Sequence, residues 1–210
     1  KEFTMEELKK EIYASKSITK NQIQMIKIPI QTSFTNFSTL SSDYCTKEGL
    51  SEVVLASWME NHVLWDKIRT TGGAYGTGCL SENPINRFSF NSYRDPNPIG
   101  SINIFKNIFT EIKDLDFSKD EMEKVILSLY ASIICPVSPK GRGEQGFNDL
   151  IYAEPEDLRK KKFEMLLSLK PSDVKAAILR LEEAVKKEWY AVIFCDKSVK
   201  NSGNIIKIPL

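Results

Sequence analysis

The spacing of hydrophobic residues changes several times along this chain. Residues 22–37 read as one β-strand, because isoleucines alternate there with other side chains. From Lys47 to Arg69 the apolar residues instead repeat with helical spacing, and two further alternating stretches follow, around residues 74–81 and 87–94. Helical spacing then dominates until the apolar stretch YAVIFC, residues 190–195. This order predicts an α+β fold in which helices pack on one face of a mainly antiparallel sheet.

Four helices are predicted between the last two of these strand regions. The first starts at the sequence DPNP, where a proline suits the first turn, and the second starts at Ser118, which forms a capping-box pattern with Glu121. The other two cover residues 155–169 and 171–188. Before them, the sequence PVSPKGRGEQG, residues 136–146, is rich in proline and glycine and is predicted to be an exposed loop.

The chain of 210 residues is long enough for one domain with a substantial core. Its first residues, KEFTMEELKK, contain no initiator methionine at position 1 and read like the middle of a helix, predicted over residues 3–15. We therefore expect a piece of a longer protein. In it, residues 1–20 are the end of a preceding segment or a linker, and residues 21–210 form the domain.

Charge and hydropathy argue against two classes of partner. The chain has 29 basic and 28 acidic residues, and the net charge of +1 gives no electrostatic basis for binding nucleic acid or an anionic membrane. No apolar run approaches the roughly 18 residues that span a bilayer. We therefore expect neither nucleic acid nor a membrane as a partner.

Residues that bind transition metals are scarce in this sequence. His62 is the single histidine. The cysteines lie far apart and form no CxxC pair, at positions Cys45, Cys79, Cys135 and Cys195. The sequence therefore predicts no metal ligands in this chain, and the scattered cysteines favour a reducing compartment.

Four glycines crowd into the stretch LWDKIRTTGGAYGTGC, residues 64–79. They lie between a predicted helix and a predicted strand, whereas glycine-rich phosphate-binding motifs run from a strand into a helix. In a purely structural interpretation, Arg69 complements the negative end of the helix and Tyr75 packs in the sheet. Gly72 or Gly73 then takes the left-handed conformation that ends many helices.

A second interpretation starts from the combination of IR-x-x-GGAYG with SYRDPN some twenty residues later. Further matching features are the strand sequence IPIQTSFTNF, the LW pair before Arg69 and the helical tail. Together the matching features cover roughly Ile26 to Cys195. They resemble the C-terminal half of the presequence-protease branch of the insulinase/pitrilysin family of zinc metallopeptidases. The resemblance implies two homologous halves that enclose a peptide-sized chamber. The N-terminal half carries an H-x-x-E-H helix that binds zinc and supplies a general base, a motif that this chain does not contain.

By this resemblance, Arg69 and Tyr75 reach across to the substrate in the active site of the other half. A phenol is a neutral donor at working pH, which suits the negative charge that develops on a peptide carbonyl oxygen during hydrolysis. An arginine stays cationic and binds a carbonyl or carboxylate through several donors. Gly72, Gly73 and Ala74 make a bend that lets the substrate backbone come close. We therefore expect Arg69 and Tyr75 to be catalytic, and Arg69, Gly72, Gly73, Ala74 and Tyr75 to bind substrate.

The SYRDPN motif gives a weaker indication of function. Arg94 is a candidate substrate-binding residue in the chamber wall, whereas Asp95 begins a sequence that suits a strand-to-helix turn. On the helix before the glycine stretch, Trp58, Trp65 and His62 are predicted to serve in helix packing, and the alternative is an exposed tryptophan near the chamber.

The sequence therefore predicts the C-terminal, substrate-binding part of a zinc metalloendopeptidase that degrades unstructured peptides in a closed chamber. Its partners are expected to be the peptide substrate and the N-terminal half of the same polypeptide. That half would bind the zinc, so this fragment alone is expected to be inactive. The alternative is a non-catalytic scaffold homologue of the same superfamily. A bacterial cytoplasm or an organelle matrix would suit the reduced cysteines.

Overall fold

A computed structural model describes residues 19–43, 46–81, 85–151, 157–196 and 205–208. The helix predicted over residues 3–15 lies outside the described residues. The described elements are, in chain order, β1 (Ile23–Lys27), β2 (Ser33–Leu40), α1 (Lys47–Met59) with its π-helical continuation (Glu60–Thr71), β3 (Gly76–Leu80), β4 (Arg87–Asp95), α2 (Pro98–Ile112), α3 (Lys119–Ile134), α4 (Pro139–Ile151), α5 (Leu158–Ser168), α6 (Pro171–Lys187), β5 (Trp189–Cys195) and β6 (Ile205–Ile208).

The described strands form one sheet in the order β3-β4-β2-β5-β1-β6. The pairs β3–β4, β4–β2 and β2–β5 are antiparallel, and β1 runs parallel to both of its neighbours. Buried residues alternate with exposed ones along β2, so the helices cover one face of the sheet and the other face is open. The prediction of an α+β fold with a mainly antiparallel sheet and helices on one face is confirmed.

Aromatic side chains fill the space between the sheet and helix α2. Phe37 of β2 and both Phe88 and Phe90 of β4 are fully buried. The Phe90 ring stacks on the ring of Phe105 at 5.1 Å between centroids, and its centroid is 5.7 Å from that of Phe109. Because side chains alternate along a strand, this packing also fixes which residues of β4 face the open side.

The prediction of a single strand over residues 22–37 is wrong, because the structure has two strands there. β1 ends at Lys27, and Pro29, which has no N–H to donate, lies in the connection to β2. Beyond β1, the Ile28 N–H still donates to the carbonyl of Cys195 at 3.0 Å. The two strands then diverge, and β5 lies between them in the sheet.

The prediction of a loop over residues 136–146 is wrong in conformation and correct in exposure. Most of this stretch belongs to helix α4, which starts with Pro139 in its first turn. The Ser138 Oγ caps the helix by accepting a hydrogen bond from the Gly141 N–H at 3.2 Å. Helix α4 has no buried residue, so its position on the surface agrees with the polarity of the sequence.

A buried carboxylate ties helix α1 to helix α6. Glu52 accepts hydrogen bonds from the Ser42 N–H at 2.9 Å and from the Ser42 hydroxyl at 2.6 Å. The Nε of Arg180 lies 3.4 Å from the Oε1 of Glu52. Burial raises the pKa of Glu52, and the bonds from Ser42 and Arg180 oppose that shift. These contacts anchor the helix that leads to the glycine stretch.

Candidate functional site

The helix that leads to the glycine stretch changes its winding halfway along. After Met59, residues Glu60–Thr71 form π-helical turns, a geometry that is rare and occurs frequently at functional sites. Glu60 accepts a hydrogen bond from the Cys79 N–H in β3, and burial raises the pKa of the Glu60 carboxyl although this bond opposes the shift. Burial also raises the pKa of the Cys79 thiol well above its usual value, so it stays neutral. No local sequence pattern indicates this contact, which fixes the edge strand β3 to the helix.

The chain leaves the helix through Gly72 and Gly73, whose N–H groups both donate to the carbonyl of Arg69. Gly73 has φ of +79°, so the left-handed cap predicted for Gly72 or Gly73 is found at Gly73. At Gly72, a Cβ would lie only 2.6 Å from the carbonyl oxygen of Ile68, so this position also excludes a side chain. Ala74 is buried, and its N–H donates to the same oxygen at 3.1 Å.

Replacing Gly73 with alanine should lower the free energy of unfolding by about 1–2 kcal/mol, because the left-handed region costs an L-residue about that much. Gly143 provides a matched control, since it lies in α4 and a Cβ there would meet no atom within 4 Å. Gly143→Ala should leave stability unchanged or raise it by up to about 1 kcal/mol. Chemical denaturation of both variants checks the prediction, and equal effects would contradict the left-handed assignment.

Strand β4 carries an extra residue beside the glycine stretch. Phe34 pairs with Tyr93, but the preceding residue, Ser33, pairs with Asp95, so Arg94 is left without a partner in this ladder. Arg94 has φ of +49°, which is a left-handed conformation within a β-bulge. As a result, Tyr93 and Arg94 are both exposed although they are adjacent in sequence. The bulge therefore interrupts the alternation of buried and exposed residues along the strand, and the Arg94 side chain is exposed.

A buried chain of hydrogen bonds holds this bulge in place. The hydroxyl oxygens of Thr35 and Ser92 are 2.6 Å apart, and the Ser92 hydroxyl donates to Oδ2 of Asp95 at 2.5 Å. Asp95 is fully buried, and its Oδ1 accepts a hydrogen bond from the Asn97 N–H at 2.8 Å. Asp95 therefore has the structural role expected of it at the turn into α2, and it also fixes the backbone of Arg94.

Arg94 lies directly beside Tyr75. The Tyr75 N–H donates to the carbonyl of Arg94 at 3.3 Å, and the guanidinium carbon of Arg94 lies 5.3 Å from the centre of the Tyr75 ring. The same ring meets that of Tyr93 edge-on at 5.5 Å. The structural interpretation expects Tyr75 to pack in the sheet; the ring does contact Tyr93, but Tyr75 is 58% exposed. The phenol is accessible to a ligand on the open side of the sheet.

Arg69 contacts a different aromatic side chain. Its guanidinium carbon lies 3.9 Å from the centre of the Trp65 ring, within the range of a cation–π interaction. The sequence predicted that Trp65 serves in helix packing. Trp65 is half exposed and lies against Arg69, so it also supports that side chain. The described contacts thus bring Tyr75 and Arg94 together, and they place Arg69 beside Trp65 at the end of the helix.

The described residues do not fit a zinc ion. Among them, no three or more histidine, cysteine, aspartate or glutamate side chains gather into a group that could hold a metal. His62 is already occupied, because its Nδ1 lies 2.9 Å from the carbonyl oxygen of Trp58 and its ring stacks on that tryptophan at 5.0 Å.

Among the residues that the structure describes, no helix has both the length and the apolar character needed to cross a bilayer.

The sequence is similar to that of presequence proteases. The model of the PreP C-terminal domain matches residues 24–197. The mitochondrial presequence protease of Eremothecium gossypii is 31% identical over 152 residues, which cover 72% of this chain and 15% of that protein. The one from Schizosaccharomyces pombe is 31% identical over 183 residues, covering 85% of this chain and 18% of that protein. The chain thus spans less than a fifth of the length of these relatives.

Solved structures share the fold at low sequence identity. The M16 peptidase inactive domain from Pseudomonas fluorescens has a TM-score of 0.63 and 15% identity, and the match covers 89% of this chain and 46% of that one. Pitrilysin has a TM-score of 0.59 and 14% identity, with 97% of this chain and 24% of that one covered. The family match, the relatives and the shared fold agree: the chain belongs to the presequence-protease branch of the insulinase/pitrilysin (M16) peptidase family, as its C-terminal domain.

Proposed function

We propose that this chain is the substrate-binding C-terminal part of a zinc metalloendopeptidase that degrades unstructured peptides in a closed chamber. The observation that carries the proposal is the exposed phenol of Tyr75, which is held beside Arg94 at a glycine corner. The chain's relatives are named presequence proteases, which gives a peptide-hydrolysing context for these side chains.

The proposed roles follow from the chemistry of the side chains. During peptide hydrolysis negative charge develops on the carbonyl oxygen, and the Tyr75 hydroxyl donates a hydrogen bond to that oxygen. Arg69 holds a carbonyl or carboxylate of the substrate with its fork of donors. Arg94 adds a second cation beside the phenol and contacts the substrate on the chamber wall. Gly72 and Gly73 keep the bend narrow, so that the substrate backbone can approach it.

We assign the zinc to the N-terminal half of the same polypeptide, because the described residues of this chain offer no fitting ligand group. This chain then contributes binding, orientation and hydrogen-bond donation. The relatives are named as mitochondrial proteins, and one from Arabidopsis thaliana as chloroplastic/mitochondrial. An organelle matrix or a bacterial cytoplasm is the proposed compartment.

The experiment compares this chain with the full-length polypeptide that contains it, each incubated with an unstructured peptide. The full-length polypeptide should cleave the peptide and lose this activity when a chelator removes its zinc. The chain alone should cleave nothing and hold no stoichiometric zinc. One tightly held zinc per isolated chain would contradict the proposal. A folded, zinc-loaded full-length polypeptide without peptidase activity would instead support a scaffold homologue.

A further inference from the structure

The open face of the sheet carries a row of exposed aromatic residues on three neighbouring strands. Phe34 of β2 is the direct cross-strand partner of Tyr93 in β4 and of Phe194 in β5. The exposed fractions of these residues are 41% for Phe34, 40% for Tyr93 and 36% for Phe194. Large apolar side chains grouped on a surface mark an interaction site more often than single ones do. These three residues are called the aromatic row below.

On one side of the aromatic row, the neighbouring positions are uncharged. The next pair on the open face of β2 and β4 is Asn36 and Asn91, which are direct partners, and the pair after that is Ser38 and Ser89. Neither pair contains a charged residue, although charged residues make up 27% of the whole chain. Depletion of charge with enrichment of aromatics is typical of the centre of a binding surface. The two amides also offer donors and acceptors to a peptide backbone.

The aromatic row is continuous with the candidate site. A Cβ on Gly76, the partner of Tyr93 in β3, would lie 2.1 Å from the ring of Tyr93, so this ring leans over Gly76 towards the glycine corner. There it meets the ring of Tyr75 edge-on. A ligand that contacts the Tyr75 phenol can therefore extend along the aromatic row, passing Arg94, which lies beside Tyr75.

The size of the aromatic row favours a peptide as its occupant. Strands lie about 4.8 Å apart, so three cross-strand neighbours span about 10 Å, which is the length of about three residues of an extended peptide. Their exposed surface amounts to roughly 250 Å², whereas a stable protein dimer buries about 800 Å² on each partner. The row is thus too small to hold a second copy of the chain, and it suits one or two large side chains.

We propose that the aromatic row of Phe34, Tyr93 and Phe194 binds a large apolar side chain of an extended peptide substrate, next to the bond held at Tyr75. This inference rests on the proposed function. It makes the row a determinant of specificity, because peptides without large apolar side chains gain nothing from it. Asn36 and Asn91 bind the adjoining peptide backbone.

The test uses the full-length polypeptide and two unstructured peptides of equal length and charge. One peptide carries phenylalanine and leucine at several positions, and the other carries serine and glycine there. Phe34→Ser should lower kcat/KM roughly tenfold for the apolar peptide and change it little for the polar one. Leu40→Ser is the matched control, since Leu40 lies on the same face of β2 and is similarly exposed, but pairs with Arg87 at the far end. It should affect neither peptide.

Three outcomes would overturn the inference. If Phe34→Ser leaves the preference between the two peptides unchanged while Tyr75→Phe still abolishes most turnover, the aromatic row does not bind the substrate and the proposed function stands. Full turnover in Tyr75→Phe would remove the proposed function itself. A change of oligomeric state in Phe34→Ser, measured by light scattering, would assign the row to contact between copies. If Phe34→Ser melts early, Phe194→Ser replaces it in the same measurements.

Discussion

The full-length polypeptide carrying Tyr75→Phe should lose roughly a hundredfold or more of its turnover number on an unstructured peptide, with little change in the Michaelis constant. Phenylalanine keeps the ring that meets Tyr93 edge-on and removes only the hydroxyl. The lost hydrogen bond strengthens as charge develops on the carbonyl oxygen, so its absence raises the barrier more than it weakens substrate binding. Steady-state kinetics on the two proteins measures both constants.

Tyr130→Phe is the matched control for this experiment. It removes the same group from a ring that packs against Phe163 between α3 and α5, apart from the candidate site and the aromatic row, and it should leave the turnover number within a few-fold of the unmodified protein. Thermal melts of both variants establish that they are folded. Near-normal turnover in a fully folded Tyr75→Phe protein would mean that Tyr75 only packs against its neighbours.

Substitution of Arg69 with alanine should weaken both substrate binding and turnover. A hydrogen bond to a charged group contributes about 1.5–3 kcal/mol, so kcat/KM should fall roughly tenfold to a hundredfold. Arg69→Lys should restore only part of the loss, because lysine cannot reproduce the two-pronged geometry of the guanidinium that lies 3.9 Å from the centre of the Trp65 ring. Kinetics that separate kcat from the Michaelis constant check the prediction.

The competing expectation for Arg69 is purely structural. If the guanidinium only complements the helix end, Arg69→Ala costs on the order of 0.3–1 kcal/mol of stability and leaves catalysis unchanged. Arg142→Ala serves as the control, since Arg142 is an exposed arginine on helix α4. Denaturation curves and kinetics that show the same small effect for both variants would remove Arg69 from the site.

The fold was predictable where one physical signal dominated. The amphipathic spacing of the longer helices fixed their positions, and the pair Ser118 and Glu121 forms the capping box expected from the sequence. The break at Pro29 was missed because the alternation of isoleucines continues across it. Helix α4 was missed because its glycines and prolines suggested a loop, although Ser138 and Pro139 together are a good helix start.

The sequence indicated which residues to consider for the candidate site, but it did not indicate how those residues are arranged. The glycine motif indicated Tyr75 and a left-handed cap at Gly72 or Gly73. No local pattern indicates that Arg94 sits in a bulge, because the bulge depends on the register between two strands that are distant in sequence. The support of Arg69 by Trp65 follows the i, i+4 spacing of these residues on the helix. That spacing was the available signal for the contact.

The place of β5 between β1 and β2 has a consequence for how the domain folds. Ile23 pairs with Ala191, so β1 and β5 join the sheet as neighbours only when residues from the two ends of the domain meet. Contacts between residues so far apart in the chain slow folding, because a large loop must be ordered before the pairing contributes stability. During synthesis β2 has an unpaired edge until β5 emerges from the ribosome. A nascent chain with such an edge is prone to aggregate until the edge is paired.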